Sequence, residues 1–358
     1  KVSLDGYKEG DFAMTVGYPG STSRYLSSYG IKERRDAQNA PRAQVRGVKQ
    51  DIMQRHMRAD EAVRIKYDSK YAQSSNYWKN SIGMNKCIDS IGIIRQKQEF
   101  EQRIKAYQDS TKGKLDFDKM KELYAKRIGT YYVYTNWAET FRNTSEFNTR
   151  AARILNGMEV KGPKDKPAKQ YVVFDDNSKE WDEALDKDVM AALMKNYREH
   201  VDAKHLPAFY ATVDKDFGGD YAKYVDYLYD KSILMKSGKK IFFNKKGYKN
   251  DPGVQYAMDI KDIFDQLKEQ ITAVSKDIEQ QERYLCDAKI RMEMDLPHYS
   301  DANFTMRLSY GQVKNLNVGG KPAGYYTTAE SIVEKMKTGD KFVDYYAEPI
   351  MHELMGAK

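Results

Sequence analysis

The sequence predicts a mainly α-helical protein in which a multi-helix domain is inserted between a few β-strands. Two segments, Gly10–Gly17 and Asn303–Tyr310, alternate apolar residues with smaller or polar ones, as half-buried strands do. The long stretch between them shows mostly helical periodicity. Because two strands are too few to build a sheet, we expect the other strands of the β-domain to lie outside this chain.

Composition limits the class of protein. Of the 358 residues, 31% are charged and 41% are apolar, which suits helices with large solvated faces. The net charge of +8 permits contact with nucleic acid without requiring it. The lysines between Lys239 and Lys246 are interpreted as an exposed turn, with a nucleic-acid site as the weaker alternative. No stretch of 18 apolar residues occurs, so no membrane span is predicted.

Local signals mark the first helices. Segment 17–23 (GYPGSTS) predicts a turn, and the serines and threonine of 21–23 are candidate N-caps for the helix that follows. Pro41 suits the first turn of one helix, and Asp60 can cap the next. A further helical run is predicted from Trp78 through Tyr107, and the segment Lys112-Gly113-Lys114 ends it.

The later elements follow from periodicity. A short helix is predicted over Leu115–Ile128, and the longest helix over Val254–Arg291, as one arm of a helical hairpin. Tyr325–Thr328 is a candidate strand, and the tail Ala329–Lys358 is expected to return to helix. An aromatic stripe on one helix face predicts core packing rather than ligand stacking. The stripe consists of Tyr131, Tyr134, Trp137 and Phe141.

Motifs for catalysis and metal binding are missing from the sequence. HExxH, CxxC, Walker-loop and GxGxxG patterns are absent, and no two of the five histidines stand three or four residues apart. We therefore predict no metal and no cofactor, and we find neither an acid/base pair nor an activated nucleophile. Cys87 and Cys286 are expected to be buried packing residues, although the sequence leaves their pairing open. Taken alone, the residues indicate a binding or scaffold protein.

Three stretches resemble one bacterial peptidase family. They read GYKEGDFAMTVGYPGSTSRYL (Gly6–Leu26), KYAQSSNYWKNSIGMNK (Lys70–Lys86) and HYSDANFTMRLSYGQV (His298–Val313). In their amino-acid sequences and in their order along the chain they resemble the bacterial dipeptidyl-peptidases of the seven and eleven types. These are serine peptidases with a chymotrypsin-like double barrel. With the helical pattern between them, the resemblance covers most of the chain. It is least clear over Lys335–Lys358.

The resemblance implies a fold and an activity. In that family a helical domain is inserted into the barrel and caps the active-site cleft. The enzyme releases dipeptides from peptide N-termini by Ser-His-Asp acyl transfer. Residues 1–23 would then be a strand and turn of the split, here incomplete, barrel. Residues 24–297 would be the helical cap, and 298–358 a returning strand with a C-terminal helical tail.

The resemblance places the catalytic residues outside this chain. The family's histidine and aspartate precede the stretch that is similar to GYKEGDF. Its serine lies in a GNSGSP-like motif well after the DANFT-like stretch, and no such motif occurs here. Because Lys1 is not an initiator Met, we interpret the chain as an excised or processed segment. We expect it not to hydrolyse peptides alone.

The resemblance also points to substrate-binding residues on the helices. An asparagine of the family's helical domain helps to hold the substrate's free α-ammonium, and it falls in the segment that reads SSNYWKN here. Asn76 is the first choice and Asn80 the second, one helical turn apart. The alternative for either is an ordinary helix-surface or capping asparagine. Tyr77 and Trp78 are candidate cleft-lining residues, with helix–helix packing an equal alternative for Trp78.

Partners and location follow from the same resemblance. The expected partners are a peptide with a free N-terminus and the remainder of the peptidase barrel, and not nucleic acid. A homodimer is one expectation for the full-length parent. The expected location is the periplasm or outer envelope of a Gram-negative bacterium. The competing hypothesis is a non-enzymatic helical interaction or scaffold protein.

Overall fold

Contacts along the chain divide it into two compact units. One unit comprises Lys1–Arg24 and His298–Lys358, and the other comprises Tyr25–Pro297. The architecture is mainly helical, which confirms the predicted fold class, whereas the assignment of the first unit to a peptidase barrel stays a prediction. The computed structural model describes residues 3–142, 144–159, 171–176, 179–242, 250–339 and 345–356.

Helices dominate the second unit, and short strands the first. The helices are α1 (Ser28–Glu33), α2 (Ala40–Ala59), α3 (Glu61–Ile91), α4 (Ile93–Thr111), α5 (Phe117–Phe141), α6 (Glu146–Glu159), α7 (Glu183–His200), α8 (Phe209–Phe217), α9 (Tyr221–Lys231), α10 (Pro252–Met292), α11 (Glu330–Val333) and α12 (Pro349–Gly356). A π-helical turn, Arg34–Asn39, joins α1 to α2. The strands are β1 (Phe12–Gly17), β2 (Tyr171–Val173), β3 (Lys240–Phe242), β4 (Arg307–Gln312), β5 (Asn317–Val318) and β6 (Lys321–Pro322).

The two strands predicted from alternation pair with each other. β1 and β4 form an antiparallel ribbon in which Met14 lies opposite Tyr310 and Val16 opposite Leu308. Directly opposed residues share a face, so these four side chains make one apolar surface. Each of them is more than half exposed. The first predicted strand is therefore confirmed as β1, whereas β4 begins four residues later than predicted. Within the described residues nothing provides the half-burial that the pattern predicts.

The chain enters the helical unit through caps that differ from those predicted. Thr22 is not an N-cap; its hydroxyl donates to Asp301 Oδ1 over 2.6 Å. The N-cap of α1 is Ser27, whose Oγ accepts from the Gly30 N–H at 3.1 Å. The Glu282 carboxylate on α10 accepts in turn from the backbone N–H and from the hydroxyl of Ser27. These bonds fix the start of α1 against the longest helix.

Helices α2 and α3 form an antiparallel hairpin. Asp60 caps α3 as predicted, since its side chain accepts from the Ala62 N–H. Gln54 donates to Tyr71 near the turn, and Asn39 donates to Asn85 at the far end. The paired positions run in opposite directions along the two helices, so the contact extends over most of their length.

Two helix boundaries differ from the predicted ones. The helix capped by Asp60 and the run through Trp78 are one helix, α3, which ends at Gly92. Gly92 has φ +69°, a left-handed conformation that favours glycine, and α4 begins directly after it. The short helix predicted over Leu115–Ile128 continues through the aromatic stripe to Phe141 as α5.

The aromatic stripe packs in the core, as predicted. Trp137 stacks on Phe264 of α10 with ring centroids 4.9 Å apart, and its Nε1 donates to the Ile260 carbonyl over 2.9 Å. Phe141 meets Tyr197 of α7 edge to face, with ring centroids 4.9 Å apart. The satisfied indole N–H and the ring contacts indicate a structural role for this stripe.

A buried ion pair joins α1 to α5. Arg127 donates to both carboxylate oxygens of Glu33, over 2.8 and 2.7 Å, and both side chains are largely buried. Burial raises the pKa of Glu33, against the opposing effect of Arg127. Nearby, Glu101 accepts from the backbone and the hydroxyl of Ser28, and burial raises the pKa of Glu101 as well.

The C-terminal segment departs most from expectation. Over its described residues, 329–339 and 345–356, helix is limited to α11 and α12, so this part of the tail is less helical than predicted. Residues 325–328 form no strand; β5 and β6 form a small hairpin earlier in the chain, turning at Gly319 and Gly320. Part of the predicted basic turn, 243–246, lies outside the described residues, and Lys240 belongs to β3. None of the helices in the described ranges is long and apolar enough to span a bilayer.

Candidate functional site

The four predicted site residues lie in the middle of α3 and differ in how far they are exposed. Asn76, Tyr77 and Asn80 are exposed, whereas Trp78 is half-buried. The indole nitrogen of Trp78 lies against Gly47 of α2, at 3.6 Å from the position that a Cβ there would take. Trp78 therefore packs between the two helices of the hairpin, which is the alternative that the sequence left open for it.

The two asparagine amides are available for a ligand. Among the residues that the structure describes, neither Asn76 nor Asn80 has a hydrogen-bond partner. They stand one turn apart on an exposed face of α3. A primary amide offers a carbonyl oxygen that can accept from an ammonium group. The structure thus leaves both asparagines chemically suited to the predicted role without choosing between them.

Of the four predicted site residues, Tyr77 alone lines a cavity. The cavity has a volume of about 610 Å³ and lies between α2, α3, the start of α6 and the start of α7. The Arg46 guanidinium lies over the Tyr77 ring, 5.0 Å from its centroid. Arg46 also pairs with Glu139 over 2.7 Å, which holds it in place. Tyr77 is therefore part of a polar concave surface, consistent with a lining role.

A buried carboxylate lies at the base of this cavity. Asp186, only 4% exposed, accepts from the Glu146 N–H at 2.8 Å, from the Phe147 N–H at 3.4 Å and from the Tyr229 hydroxyl. It thereby caps the N-terminus of α6 from a neighbouring helix, where negative charge is favoured. Burial nevertheless raises the pKa of Asp186 to about 6, because these donors offset only part of the desolvation.

A lysine faces the same cavity from α2. Lys49 donates to the Thr144 carbonyl over 2.9 Å. Burial and the neighbouring Arg46 charge lower the pKa of Lys49 to about 8, although Asp186 acts in the opposite direction. Sequence reasoning missed both Lys49 and Asp186. Each lies beside an apolar helical stripe, where a charged residue ordinarily marks the solvated edge, so no local signal distinguishes them.

Other candidate chemistry is limited in the described part of the chain. No group of three or more His, Cys, Asp or Glu side chains there is arranged to hold a metal. No disulfide joins Cys87 and Cys286. Cys87 is exposed, so the expectation of a buried packing residue is wrong for it. The cavity and the exposed face of α3 beside it therefore form the candidate site.

Comparison with known proteins gives a consistent result. The family model described as peptidase S46 matches residues 1–358. A dipeptidyl-peptidase 7 from Phocaeicola vulgatus is 38% identical over 353 residues, covering 93% of this chain and 48% of that protein. An Asp/Glu-specific dipeptidyl-peptidase from Porphyromonas gingivalis is 28% identical, with 93% and 48% covered. The chain spans about half the length of these relatives.

A solved structure has the same fold. The crystal structure of Porphyromonas endodontalis DPP11 in complex with the dipeptide Arg-Glu superposes with a TM-score of 0.79 at 22% sequence identity. The match covers the whole of this chain and 53% of that one. At this identity the likeness concerns the fold alone, and it extends over both units of the chain.

Proposed function

The chain belongs to the peptidase S46 family, and from this membership we infer that it is the helical, substrate-binding part of a serine dipeptidyl-peptidase. The parent enzyme would release dipeptides from the N-termini of peptides by acyl transfer. The observation that carries this inference is the family match over the whole chain, together with relatives named dipeptidyl-peptidases.

The bond-breaking groups are proposed to lie in the rest of the enzyme. The chain corresponds to about half of its relatives, and its sequence contains no GNSGSP-like motif to supply a nucleophilic serine. The exposed apolar face of the β1–β4 ribbon supports the same idea, because an uncovered face of this kind suits further strands of a barrel. We propose periplasmic or outer-envelope location and a homodimeric parent on the resemblance alone.

Activity measurements test whether the catalytic groups lie outside this chain. The chain by itself is expected to release no fluorophore from dipeptidyl-coumarin substrates, whereas the polypeptide containing both this chain and the barrel is expected to do so. Hydrolysis by the chain alone would contradict the proposed absence of the catalytic groups. Absence of hydrolysis by the longer polypeptide, across apolar and acidic residues before the scissile bond, would contradict the peptidase assignment itself.

The proposed role of the exposed asparagines is to bind the substrate's α-ammonium. A dipeptidyl-peptidase must recognise a free N-terminus two residues from the bond it cleaves. Asn76 and Asn80 present amide oxygens that have no partner among the described residues, and Tyr77 supplies an aromatic wall beside them. A carboxylate that balances the ammonium charge would come from the barrel.

Substitution of Asn76 in the longer polypeptide tests this role. A hydrogen bond to a charged group contributes about 1.5–3 kcal/mol, so Asn76→Ala is expected to lower kcat/KM by roughly 10- to 100-fold. Asn80→Ala tests in the same way whether Asn80 binds the α-ammonium. Asn156→Ala, another exposed helical asparagine, is the matched control and should leave kcat/KM unchanged. Unchanged kcat/KM in both Asn76→Ala and Asn80→Ala would disprove the assignment.

The scaffold alternative makes a different prediction. A non-enzymatic interaction protein would bind its partner whether or not a peptide N-terminus is free. Comparing a peptide with its N-acetylated form separates the two hypotheses, because only the proposed clamp discriminates between them. Equal binding of both forms to the longer polypeptide would favour the scaffold.

A further inference from the structure

The cavity between α2, α3, α6 and α7 carries more positive charge than its own acidic groups neutralise. Four cationic residues line it, against two anionic ones. The anionic groups are already engaged: Asp186 caps α6, and Glu146 pairs with Arg150 over 2.9 Å. The cations are Arg46, Lys49, Lys70 and Arg142.

The cations differ in how far the protein satisfies them. Arg46 pairs with Glu139, which also pairs with Arg42. Lys70 donates to the Glu180 carbonyl and lies over the Tyr67 ring, and no carboxylate of the described residues forms an ion pair with it. Lys49 donates to the Thr144 carbonyl, and among the residues that the structure describes no carboxylate is bonded to it. Arg142 is exposed, and within the described residues no partner contacts its guanidinium.

Two polar atoms in the cavity wall are also unpaired. The Ser74 hydroxyl is buried, in a residue only 6% exposed, and it has no hydrogen-bond partner among the described residues. The Trp181 indole N–H is likewise buried without a partner there. Buried polar groups are normally hydrogen-bonded. Both residues line the cavity, so its wall, which also carries Lys49 and Arg142, contains two buried polar atoms without a partner among the described residues.

We propose that this cavity binds the carboxylate of a small, partly apolar molecule, with Lys49 and Arg142 supplying the positive charge. Donors without acceptors require a ligand rich in lone pairs. A monoanion fits better than a phosphate dianion because Asp186 and Glu146 repel a second negative charge. The apolar part would contact Met53, Leu185 and Val189, which line the same space. This inference does not depend on the proposed peptidase function.

The carboxylate could belong to a peptide C-terminus or to an acidic side chain, and calorimetry with matched probes separates the two. N-acetyl-alanine carries only the former, N-acetyl-aspartate amide carries only the latter, and N-acetyl-alanine amide is the neutral reference. One or both acids should bind the chain, and the neutral amide should bind at least ten-fold more weakly. Equal binding of the neutral amide, or tighter binding of inorganic phosphate, would overturn the carboxylate assignment.

Variants place the binding in this cavity. Lys49→Met and Arg142→Met should each weaken binding of the acid about 10- to 100-fold, the effect of losing one hydrogen bond to a charged group. Lys195→Met removes an exposed lysine from α7 outside the cavity and should bind as the wild type does. If circular dichroism shows that Lys49→Met does not fold, the exposed Arg142→Met decides. Unchanged affinity in Arg142→Met would then refute the proposal.

Discussion

Asp186 provides a sharp test of how this fold handles a buried charge. Its carboxylate is buried on α7 and accepts from the first turn of α6 and from Tyr229. Burial raises its pKa from 3.8 to about 6. The folded protein therefore binds a proton at Asp186 more tightly than the unfolded chain does. Stability from this group is greatest at low pH and is lost as the pH rises from about 4 to about 6.

The expected magnitude follows from the pKa difference. The whole difference in the pKa of Asp186 between the folded and unfolded states corresponds to about 3 kcal/mol of unfolding free energy. Asp186→Asn removes the charge but keeps an oxygen that can accept from α6. As the pH rises from 4 to 7, the unfolding free energy of this variant should increase by about 2–3 kcal/mol relative to that of the wild type. Asp186→Ala leaves the α6 N–H groups and the Tyr229 hydroxyl without an acceptor and should lose about 2–4 kcal/mol relative to Asp186→Asn.

Urea unfolding followed by circular dichroism at both pH values measures these differences. Acidic groups away from Asp186 titrate in the wild type and in the variants alike, so the comparison reports on Asp186 together with its neighbour Lys49, whose pKa Asp186 raises. Asp188→Asn, two residues along α7 and half exposed, is the control. It should stay within about 1 kcal/mol of the wild type because surface ion pairs contribute little. A difference between Asp186→Asn and the wild type that does not change with pH would refute the reasoning.

Local signals were sufficient to predict several helix boundaries. Pro41 lies at the start of α2, Asp60 caps α3, and the Lys-Gly-Lys segment that begins at Lys112 ends α4. Each of these signals acts within one turn of the chain, so a single sequence carries it. The break at Gly92 was missed because this glycine lies inside an apolar run, and a glycine inside a helix looks the same in sequence as one that ends it.

Burial was harder to predict than secondary structure. Alternation located β1 and part of β4, but whether their apolar face is covered depends on partners that the pattern does not contain. The same limit applies to the site. Trp78 was assigned two alternatives, and only the position of Gly47 on the neighbouring helix decides between them. Lys49 and Asp186 are far apart in sequence and become neighbours only when α2 packs on α7.

Two further substitutions test how the helical unit is held together. Arg127→Met leaves Glu33 as a buried carboxylate without its bidentate partner and should cost about 3–5 kcal/mol of unfolding free energy. Recovery of most of that loss in the double variant with Glu33→Gln would show that the unpaired charge causes it, and no recovery would contradict this. Gly92→Ala should destabilise by about 1 kcal/mol, because φ is +69° there. Gly83→Ala, inside α3 with open space around it, should stabilise by about 0.5–1 kcal/mol. Opposite signs for the two glycines, measured by thermal unfolding, are what a helix end at Gly92 requires, and equal stabilisation would mean that α3 and α4 form one continuous helix.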